Sequence, residues 1–304
     1  MPAAADLSLE PARRCGFRAR FPGLGRSVHG AGGAMKHTPV SLLRDARYAL
    51  PGLAGRALPS PGPADAARLC AGLAARGMAS VAGYFQADDA APETIVAAYR
   101  EVAALLAAAG CGAYLSVKAP PLDFDPGHLG AIAAAGLPLL FDAQKEEQAE
   151  PTLALALAMP ETGMALPARW RRSAADAAAL RDGPGRIRLV KGEWADPAGD
   201  AGDVEANYLA LATRLAGRKA PVAVATHDPD LAEAALTLLK AAGTPCELEQ
   251  LRGLPRKRTL AVARRLEVPV QIYCPFGPGW WPYAIDKALA RPYLPLWAVK
   301  DWMG

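Results

Sequence analysis

The sequence lacks the long apolar runs and paired cysteines that are typical of membrane proteins and of disulfide-stabilised or metal-binding proteins. No apolar run approaches the roughly 20 residues that a transmembrane helix needs. The cysteines are few, odd in number and scattered, and none forms a CxxC motif or a Cys/His pair at metal-ligand spacing. They are Cys15, Cys70, Cys111, Cys246 and Cys274. We therefore predict reduced thiols, no metal site and a cytoplasmic protein.

The sequence also lacks the usual signals for binding nucleic acids or nucleotides. The 34 basic and 30 acidic residues are nearly balanced, with a net charge of +4, and no basic block is interleaved with aromatic residues. We therefore predict no nucleic-acid partner. Neither GxGxxG nor GxxxxGKS occurs, which argues against an open doubly wound sheet with a glycine-rich dinucleotide loop.

The first 34 residues differ from the rest of the chain. The stretch "ARRCGFRARFPGLGRSVHGAGGA" is rich in Arg and Gly and has no apolar core of the kind that a secretory signal requires. We predict that residues 1–34 are a disordered leader or an extension upstream of an alternative start at Met35, with a transit peptide as a further alternative. Residues 35–304 are predicted to form one domain.

Eight short strand-like runs alternate with Ala- and Leu-rich helical patterns from residue 79 onwards. The runs span 79–85, 113–119, 137–143, 162–168, 186–192, 221–227, 245–251 and 269–275. Several are apolar throughout, as strands buried on both faces should be. Eight such βα units predict a closed (β/α)8 TIM-type barrel, with residues 35–78 forming extra N-terminal helices beside it.

One helical pattern is specific enough to predict a face and an end. In residues 230–243, Leu231, Ala234, Leu238 and Ala241 share one helical face, which we predict to be the buried one. Gly243 is expected to end the helix at a C-cap position.

In such a barrel the chemistry is expected at the C-terminal ends of the strands. The polar and aromatic residues found there are Lys118, Asp142, Arg188, Lys191, His227, Glu249 and Tyr273. Each also has a structural interpretation. Lys118 would be a solvated rim charge, Asp142 a helix N-cap, and His227 a structural histidine. Arg188 would form an internal ion pair with Glu249 or Asp142.

Two loops add to this set. "ATHDPD" (225–230) leads from a strand into a helix that begins with Asp-Pro, which favours anion binding at the helix N-terminus. "GPGWWPY" (277–283) places three aromatic residues after the last strand, and Asp286 and Lys287 follow on the next helix, where they are expected to lean over the barrel mouth.

Taken in order, these motifs resemble the proline dehydrogenase family over roughly residues 36–302. The resemblance rests on "YLSVKAPPL" (114–122), "LLFDA" (139–143), "RLVKG" (188–192), "ATHD" (225–228), "ELEQLRGL" (247–254) and "IYCPFGPGWWPYAIDKALARP" (272–292). Members of that family are FAD-dependent barrels that oxidise L-proline to Δ1-pyrroline-5-carboxylate and pass the electrons to a quinone. A quinone acceptor would bring the protein into transient contact with a membrane surface.

The resemblance implies roles for the strand-end residues. Arg188, Lys191, Gly192 and Glu249 would contact the flavin and its pyrophosphate, and Thr226 and His227 would hold the phosphates and the adenosine end of FAD. Lys118, Asp142 and Tyr273 would be the catalytic residues beside the flavin ring, and Tyr283, Asp286 and Lys287 would contact the substrate.

The sequence departs from the family chiefly where the substrate would bind. Two adjacent arginines of the family that clamp the substrate carboxylate are replaced by Asp286 and Lys287, and a following Glu by Ala290. Loss of a bidentate guanidinium and gain of a carboxylate disfavour a free amino acid. We therefore expect a related imino acid, a cationic or carboxyl-masked amine, or a proline dehydrogenase of low activity. The alternatives are a degenerate relative that binds a ligand or partner without redox activity, and an unrelated phosphate-handling barrel.

Other departures lie on the flavin side. A Gln of the family becomes Pro167, an Asn becomes Asp228, a Gln becomes Glu249, and the Ala-Tyr that follows "VKG" becomes Glu193-Trp194.

Overall fold

The computed structural model describes residues 59–290. The predicted leader at 1–34, and the part of the predicted extra helices before residue 59, lie outside the described residues. Within the described range no helix is long and apolar enough to cross a membrane.

Eight parallel strands close into a barrel in chain order, which confirms the predicted (β/α)8 architecture. The strands are β1 (Ala79–Tyr84), β2 (Ala113–Val117), β3 (Leu139–Phe141), β4 (Gly163–Pro167), β5 (Ile187–Val190), β6 (Val222–Ala225), β7 (Cys246–Leu251) and β8 (Val270–Phe276). The ring closes between β1 and β8, where Val81 lies opposite Tyr273. Each strand lies within or close to its predicted run, and most are shorter because the last residues of the run already belong to the loop above the barrel.

Helices follow the strands on the outside of the barrel. They are α1 (Pro63–Ala74), α2 (Pro92–Ala108), α3 (Pro126–Ala133), α4 (Ala149–Ala158), α5 (Ser173–Leu180), α6 (Val204–Leu215), α7 (Pro229–Ala241), α8 (Lys257–Leu266) and α9 (Trp280–Ala290). Short 3-10 turns at Pro120–Leu122 and Glu146–Gln148 precede α3 and α4. Helix α1 is the described part of the predicted N-terminal helices, and it packs against α2 and β8.

The molecule has two distinct apolar layers. The larger lies between the strands and the surrounding helices and includes Tyr99, Leu106, Leu236 and Phe276. The smaller lies inside the barrel and contains Val81, Tyr114, Leu140, Ala165 and Tyr273. Charged side chains share the inner layer, among them the buried Arg188 and Glu249. Polar groups inside the barrel must satisfy one another, because water has little access there.

The predicted buried face of α7 is wrong by about one residue. Leu231 is buried as predicted, but Ala234 is exposed, and the buried face continues through Ala232, Ala235, Leu236 and Leu239. A helix made largely of Ala and Leu has more than one apolar stripe, so sequence periodicity alone cannot choose between neighbouring stripes. The predicted end is confirmed, since Gly243 follows the C-cap residue Ala242 with φ of 70°.

Candidate functional site

A cavity of about 390 Å³ opens at the C-terminal ends of the strands. Its walls combine apolar groups, including Phe85, Trp170 and Leu251, with charged groups contributed by several strands and loops. A second chamber of about 850 Å³ lies over the ends of β5 and β6. The two chambers share the walls Val190, Gly192, Glu193, Ala225, His227, Leu251 and Tyr283. They therefore form one elongated cleft.

Arg188 forms the floor of the first chamber and is only 2% exposed. Its Nε lies 2.9 Å from Glu249 Oε1, and its Nη1 donates to Asp142 Oδ1 at 3.1 Å and to Ser116 Oγ at 3.0 Å. Burial disfavours the guanidinium charge, but Glu249 leads the groups that outweigh it, so the pKa of Arg188 is raised well above its usual range. The predicted internal ion pair is confirmed, and with both acids. A flavin contact of Arg188 stays a prediction.

Two members of this floor were not predicted from the sequence. Tyr114 donates its hydroxyl to Glu249 Oε2 and accepts a hydrogen bond from Arg188 Nη2 at 3.3 Å. Ser116, next in the alternation along β2, is fully buried and also contacts Arg188. Side chains alternate between the two faces of a strand, so residues 114 and 116 lie on the same face as the predicted Lys118. This alternation could have identified both from the sequence.

Asp142 is a member of the cavity wall and not a helix cap. The nearest helical turn begins at Glu146, with Lys145 before it as the N-cap residue. Asp142 Oδ2 accepts a hydrogen bond of 3.4 Å from the hydroxyl of Tyr273, while Oδ1 accepts from Arg188. The carboxylate thus faces the first chamber with a cation beneath it.

The position of Tyr273 depends on a glycine in the neighbouring strand. A Cβ at Gly83 would lie 2.0 Å from the Tyr273 hydroxyl oxygen and 2.4 Å from Cζ. The ring therefore crosses β1 at a point where any larger residue would push it away, and Gly83 allows the hydroxyl to reach Asp142.

Lys118 lies inside the mouth rather than on a solvated rim. Its Nζ donates to the carbonyl of Tyr84 at 3.0 Å and lies 3.9 Å from the centre of the Phe85 ring. Burial lowers the pKa of Lys118, and the nearby carboxylate of Asp142 offsets part of that effect. Lys118 is thus a half-buried amine in contact with an aromatic face.

Lys191 faces the second chamber, because β5 ends at Val190 and the chain has turned out of the strand. Its Nζ lies 2.6 Å from Glu205 Oε1 and 3.4 Å from Asp228 Oδ2. Thr226 and Arg169 also line this chamber. The chamber therefore contains cations and a hydroxyl group, but carboxylates accompany them.

The N-terminus of α7 is capped by its own sequence. Asp228 Oδ1 accepts hydrogen bonds from the amides of Asp230 at 3.1 Å and Leu231 at 3.2 Å. Burial alone would raise the pKa of Asp228, but the Leu231 amide and Lys191 outweigh it, so the pKa is lowered. The amides that were expected to bind an anion are therefore already engaged by a carboxylate.

His227 connects two loops above the barrel. Its Nδ1 lies 2.8 Å from the carbonyl oxygen of Pro255, and its Nε2 lies 3.1 Å from the amide nitrogen of Leu251. A carbonyl can only accept and an amide can only donate, so Nδ1 carries the proton and the ring is neutral. The structural interpretation of His227 is thus supported, although the ring also lines both chambers.

The rim of the first chamber joins the loop after β5 to α9. Glu193 Oε2 accepts a hydrogen bond of 2.8 Å from the Tyr283 hydroxyl, and Glu193 Oε1 forms an ion pair with Lys287. The Lys287 ammonium lies 5.6 Å from the centre of the Trp194 ring. Asp286, also predicted to face the substrate, is not among the residues that line either chamber.

The fold resembles solved structures of proline utilization A (PutA). The match to PutA from Bdellovibrio bacteriovorus inactivated by N-propargylglycine has a TM-score of 0.64 and 17% identity and covers 83% of this chain and 34% of that chain. PutA from Corynebacterium freiburgense matches with a TM-score of 0.58 and 17% identity, over 88% of this chain and 35% of that chain.

The chain spans about a third of the length of these PutA chains. At this level of identity the likeness shows the fold alone. No protein-family model matches the chain, and no curated protein matches it.

The structure brings most of the predicted site residues to the cleft. Those that line it are Lys118, Asp142, Arg188, Lys191, Gly192, Thr226, His227, Glu249, Tyr273 and Tyr283. Lys287 reaches the rim through Glu193. Glu193 was noted only as a departure from the family motif, yet it holds the rim together. Among residues 59–290 no cluster of His, Cys, Asp and Glu is suited to bind a metal ion.

Proposed function

We propose that this chain is an FAD-dependent dehydrogenase that oxidises a cyclic imino acid or amine, as the proline dehydrogenase family does with L-proline. The observation that carries the proposal is the convergence of residues from separate strands on one elongated cleft, at the end of the barrel where chemistry is expected. The resemblance to the PutA fold and the ordered motifs support it.

The two connected chambers offer the types of group that the two parts of a flavin dinucleotide would need. The first chamber presents apolar walls above a buried guanidinium, suited to a ring with polar edges. The second is lined by Lys191, Arg169 and Thr226, which are donor types suited to phosphates, although Arg169 already pairs with Asp200. Gly192, with φ of 98°, lies where the two chambers meet, and a Cβ there would come within 2.9 Å of Arg169 and Pro167. When bound, FAD would supply the acceptor for the hydride from the substrate.

The residues of the first chamber would bind the amine and handle its proton. Asp142 presents a carboxylate to a protonated ring nitrogen, and the Tyr273 hydroxyl beside it fixes the direction of that carboxylate. Oxidation to an imine also requires the nitrogen to lose a proton. Lys118 lines the same chamber, and burial lowers its pKa, so we assign to its amine the role of the base that accepts this proton. Phe85 and Tyr283 pack at 5.0 Å between ring centres and close one apolar side.

The remaining parts of the proposal concern location and electron transfer. We propose that the electrons pass to a quinone, which would place a cytoplasmic protein in transient contact with a membrane surface. We propose no nucleic-acid partner.

A second candidate function is a ligand-binding barrel without redox activity. It is favoured by the charges of the second chamber, where Lys191 is paired with Glu205 and Asp228, and where Asp228 occupies the amides at the start of α7. A diphosphate would have to displace at least one of these carboxylates from Lys191.

Anaerobic spectroscopy separates the two candidates. The purified chain is incubated with FAD, freed of excess cofactor, and mixed with pyrrolidine or L-proline. The dehydrogenase predicts a yellow protein whose absorbance at about 450 nm bleaches on addition of the amine. A protein that stays colourless after incubation with FAD, or one that stays yellow with every cyclic amine tested, would favour the ligand-binding barrel.

A further inference from the structure

We propose that Glu193 occupies, from within the chain, the place that a substrate carboxylate would take, so that the site selects cyclic secondary amines lacking a carboxylate beside the nitrogen. This inference rests on the proposed function, since it names the substrate class of the same cleft. It arises from the contacts of Glu193 with Tyr283 and Lys287.

The geometry of the rim is that of a bound carboxylate. One Glu193 oxygen accepts the Tyr283 hydroxyl at 2.8 Å, and the other pairs with the ammonium of Lys287. A hydroxyl and a cation on one carboxylate form a charge-assisted pair of the kind used to hold acidic ligands. The side chains of Lys287 and Glu193 are 26% and 30% exposed, so the pair is partly shielded from water.

The other two cations of the first chamber, Arg188 and Lys118, also contact groups of the protein. Arg188 is buried and contacts Glu249, Asp142 and Ser116. Lys118 donates to the Tyr84 carbonyl. Within residues 59–290, a ligand carboxylate could therefore use the hydroxyl of Tyr283 together with the ammonium of Lys287 only by displacing Glu193.

The acidic groups of the chamber suit a cation instead. Asp142, Glu193 and Glu249 line it together with Lys118 and Arg188. Lys287 pairs with Glu193 at the rim, and Asp142 is the carboxylate on the side of Tyr273. A cyclic ammonium ion is attracted to Asp142, while a carboxylate on the same ring would approach Glu193 and be repelled. Pyrrolidine and L-proline differ only in that carboxylate, so they make a matched pair of probes.

The test compares dissociation constants of pyrrolidine and L-proline by calorimetry, on the chain with and without added FAD. We expect the wild type to bind pyrrolidine at least about tenfold more tightly than L-proline. Glu193→Gln keeps the shape and frees Lys287, and should shift the ratio of the two constants about tenfold toward L-proline. In the double variant Glu193→Gln/Lys287→Met this gain should disappear, because the freed cation is gone.

Glu233→Gln is the matched control. Glu233 pairs with Arg265 on the outside of the barrel, so this variant makes the same charge change away from the cleft and should leave the ratio unaltered. A ratio that Glu193→Gln does not change, a wild type that prefers L-proline, or no binding of either compound would overturn the inference. Binding needs no electron transfer, so the ratio of the two dissociation constants can be measured even if the flavin does not bleach. Failure to bleach would overturn the proposed function alone.

Discussion

The floor and the rim of the first chamber are each built around a cation paired with a glutamate, but they differ in burial. The floor is Arg188 with Glu249 and Asp142; the rim is Lys287 with Glu193 and Tyr283. Arg188 and Glu249 have side chains only 3% exposed, whereas those of the rim pair are between a quarter and a third exposed. Removing the partner of a buried charge strongly destabilises a protein, because the charge is left without water or a counter-ion. A partly exposed charge that loses its partner can be solvated by water instead. We therefore expect the floor to contribute more to stability, and the rim to contribute more to the selectivity proposed above.

The same substitution at floor and rim should separate these roles most clearly. Glu249→Gln leaves a buried guanidinium short of a charge and is expected to lower the free energy of unfolding by about 3 kcal/mol. Glu193→Gln should lower it by less than about 1 kcal/mol. Urea denaturation measures both. Equal losses at the two positions would mean that floor and rim do not differ in this way.

Gly83→Ala should disturb the floor through a steric contact. The added methyl group would meet the Tyr273 ring, with an expected loss of about 1–3 kcal/mol in unfolding free energy and a changed environment for Tyr273. Near-ultraviolet circular dichroism together with thermal denaturation reports both. Gly72→Ala in α1, where nothing lies within 4 Å of the new Cβ, is the control and should stabilise the protein slightly. A Gly83→Ala protein as stable as the wild type would remove the argument that Gly83 positions Tyr273.

Asp228→Asn extends the comparison to the second chamber. There the carboxylate of Asp228 pairs with Lys191, as Glu193 pairs with Lys287 at the rim. Asn keeps the cap of α7 but withdraws a negative charge from Lys191. We expect FAD to bind about tenfold more tightly, since one repulsive charge beside the phosphates is gone. Quenching of flavin fluorescence gives the dissociation constant. Weaker binding by Asp228→Asn would place the phosphates elsewhere.

The smallest expected effect is on the pH dependence of stability, through the amine of Lys118. Its pKa is lowered in the folded state by burial, while the unfolded value is near 10.5, so the unfolded chain binds more protons between the two values. The stability of the wild type relative to Lys118→Met should therefore rise as the pH increases through that window, and level off above about 10.5. Urea titrations at several alkaline pH values measure the difference. A difference that falls with pH would mean that folding raises the pKa of Lys118.

Much of this architecture follows from local sequence signals. Apolar runs alternating with helical patterns indicate eight βα units, and the C-terminal ends of parallel strands meet at one end of a barrel. That rule alone brings Lys118, Asp142, Arg188 and Tyr273 into one chamber before any side-chain contact is known.

The parts that the sequence did not predict depend on distances across the fold. The choice of Glu249 and Asp142 as joint partners of Arg188 depends on the register of separate strands. The contact of Glu193 with α9 joins segments about 90 residues apart and has no local signature. The buried face of α7 is ambiguous for a different reason, since Ala-rich helices offer neighbouring apolar stripes.

The central claim, that one flavin dinucleotide spans both chambers, is tested most directly by FAD binding to the wild type and to Ala225→Phe. Ala225 ends β6 and lines both chambers, so a phenyl ring there would fill the passage between them. Ala234→Phe, on the exposed side of α7, is the matched control. We predict that Ala225→Phe weakens FAD binding by at least about tenfold and that Ala234→Phe leaves it unchanged. Equal affinity of the wild type and Ala225→Phe, or no FAD binding by the wild type, would contradict the claim.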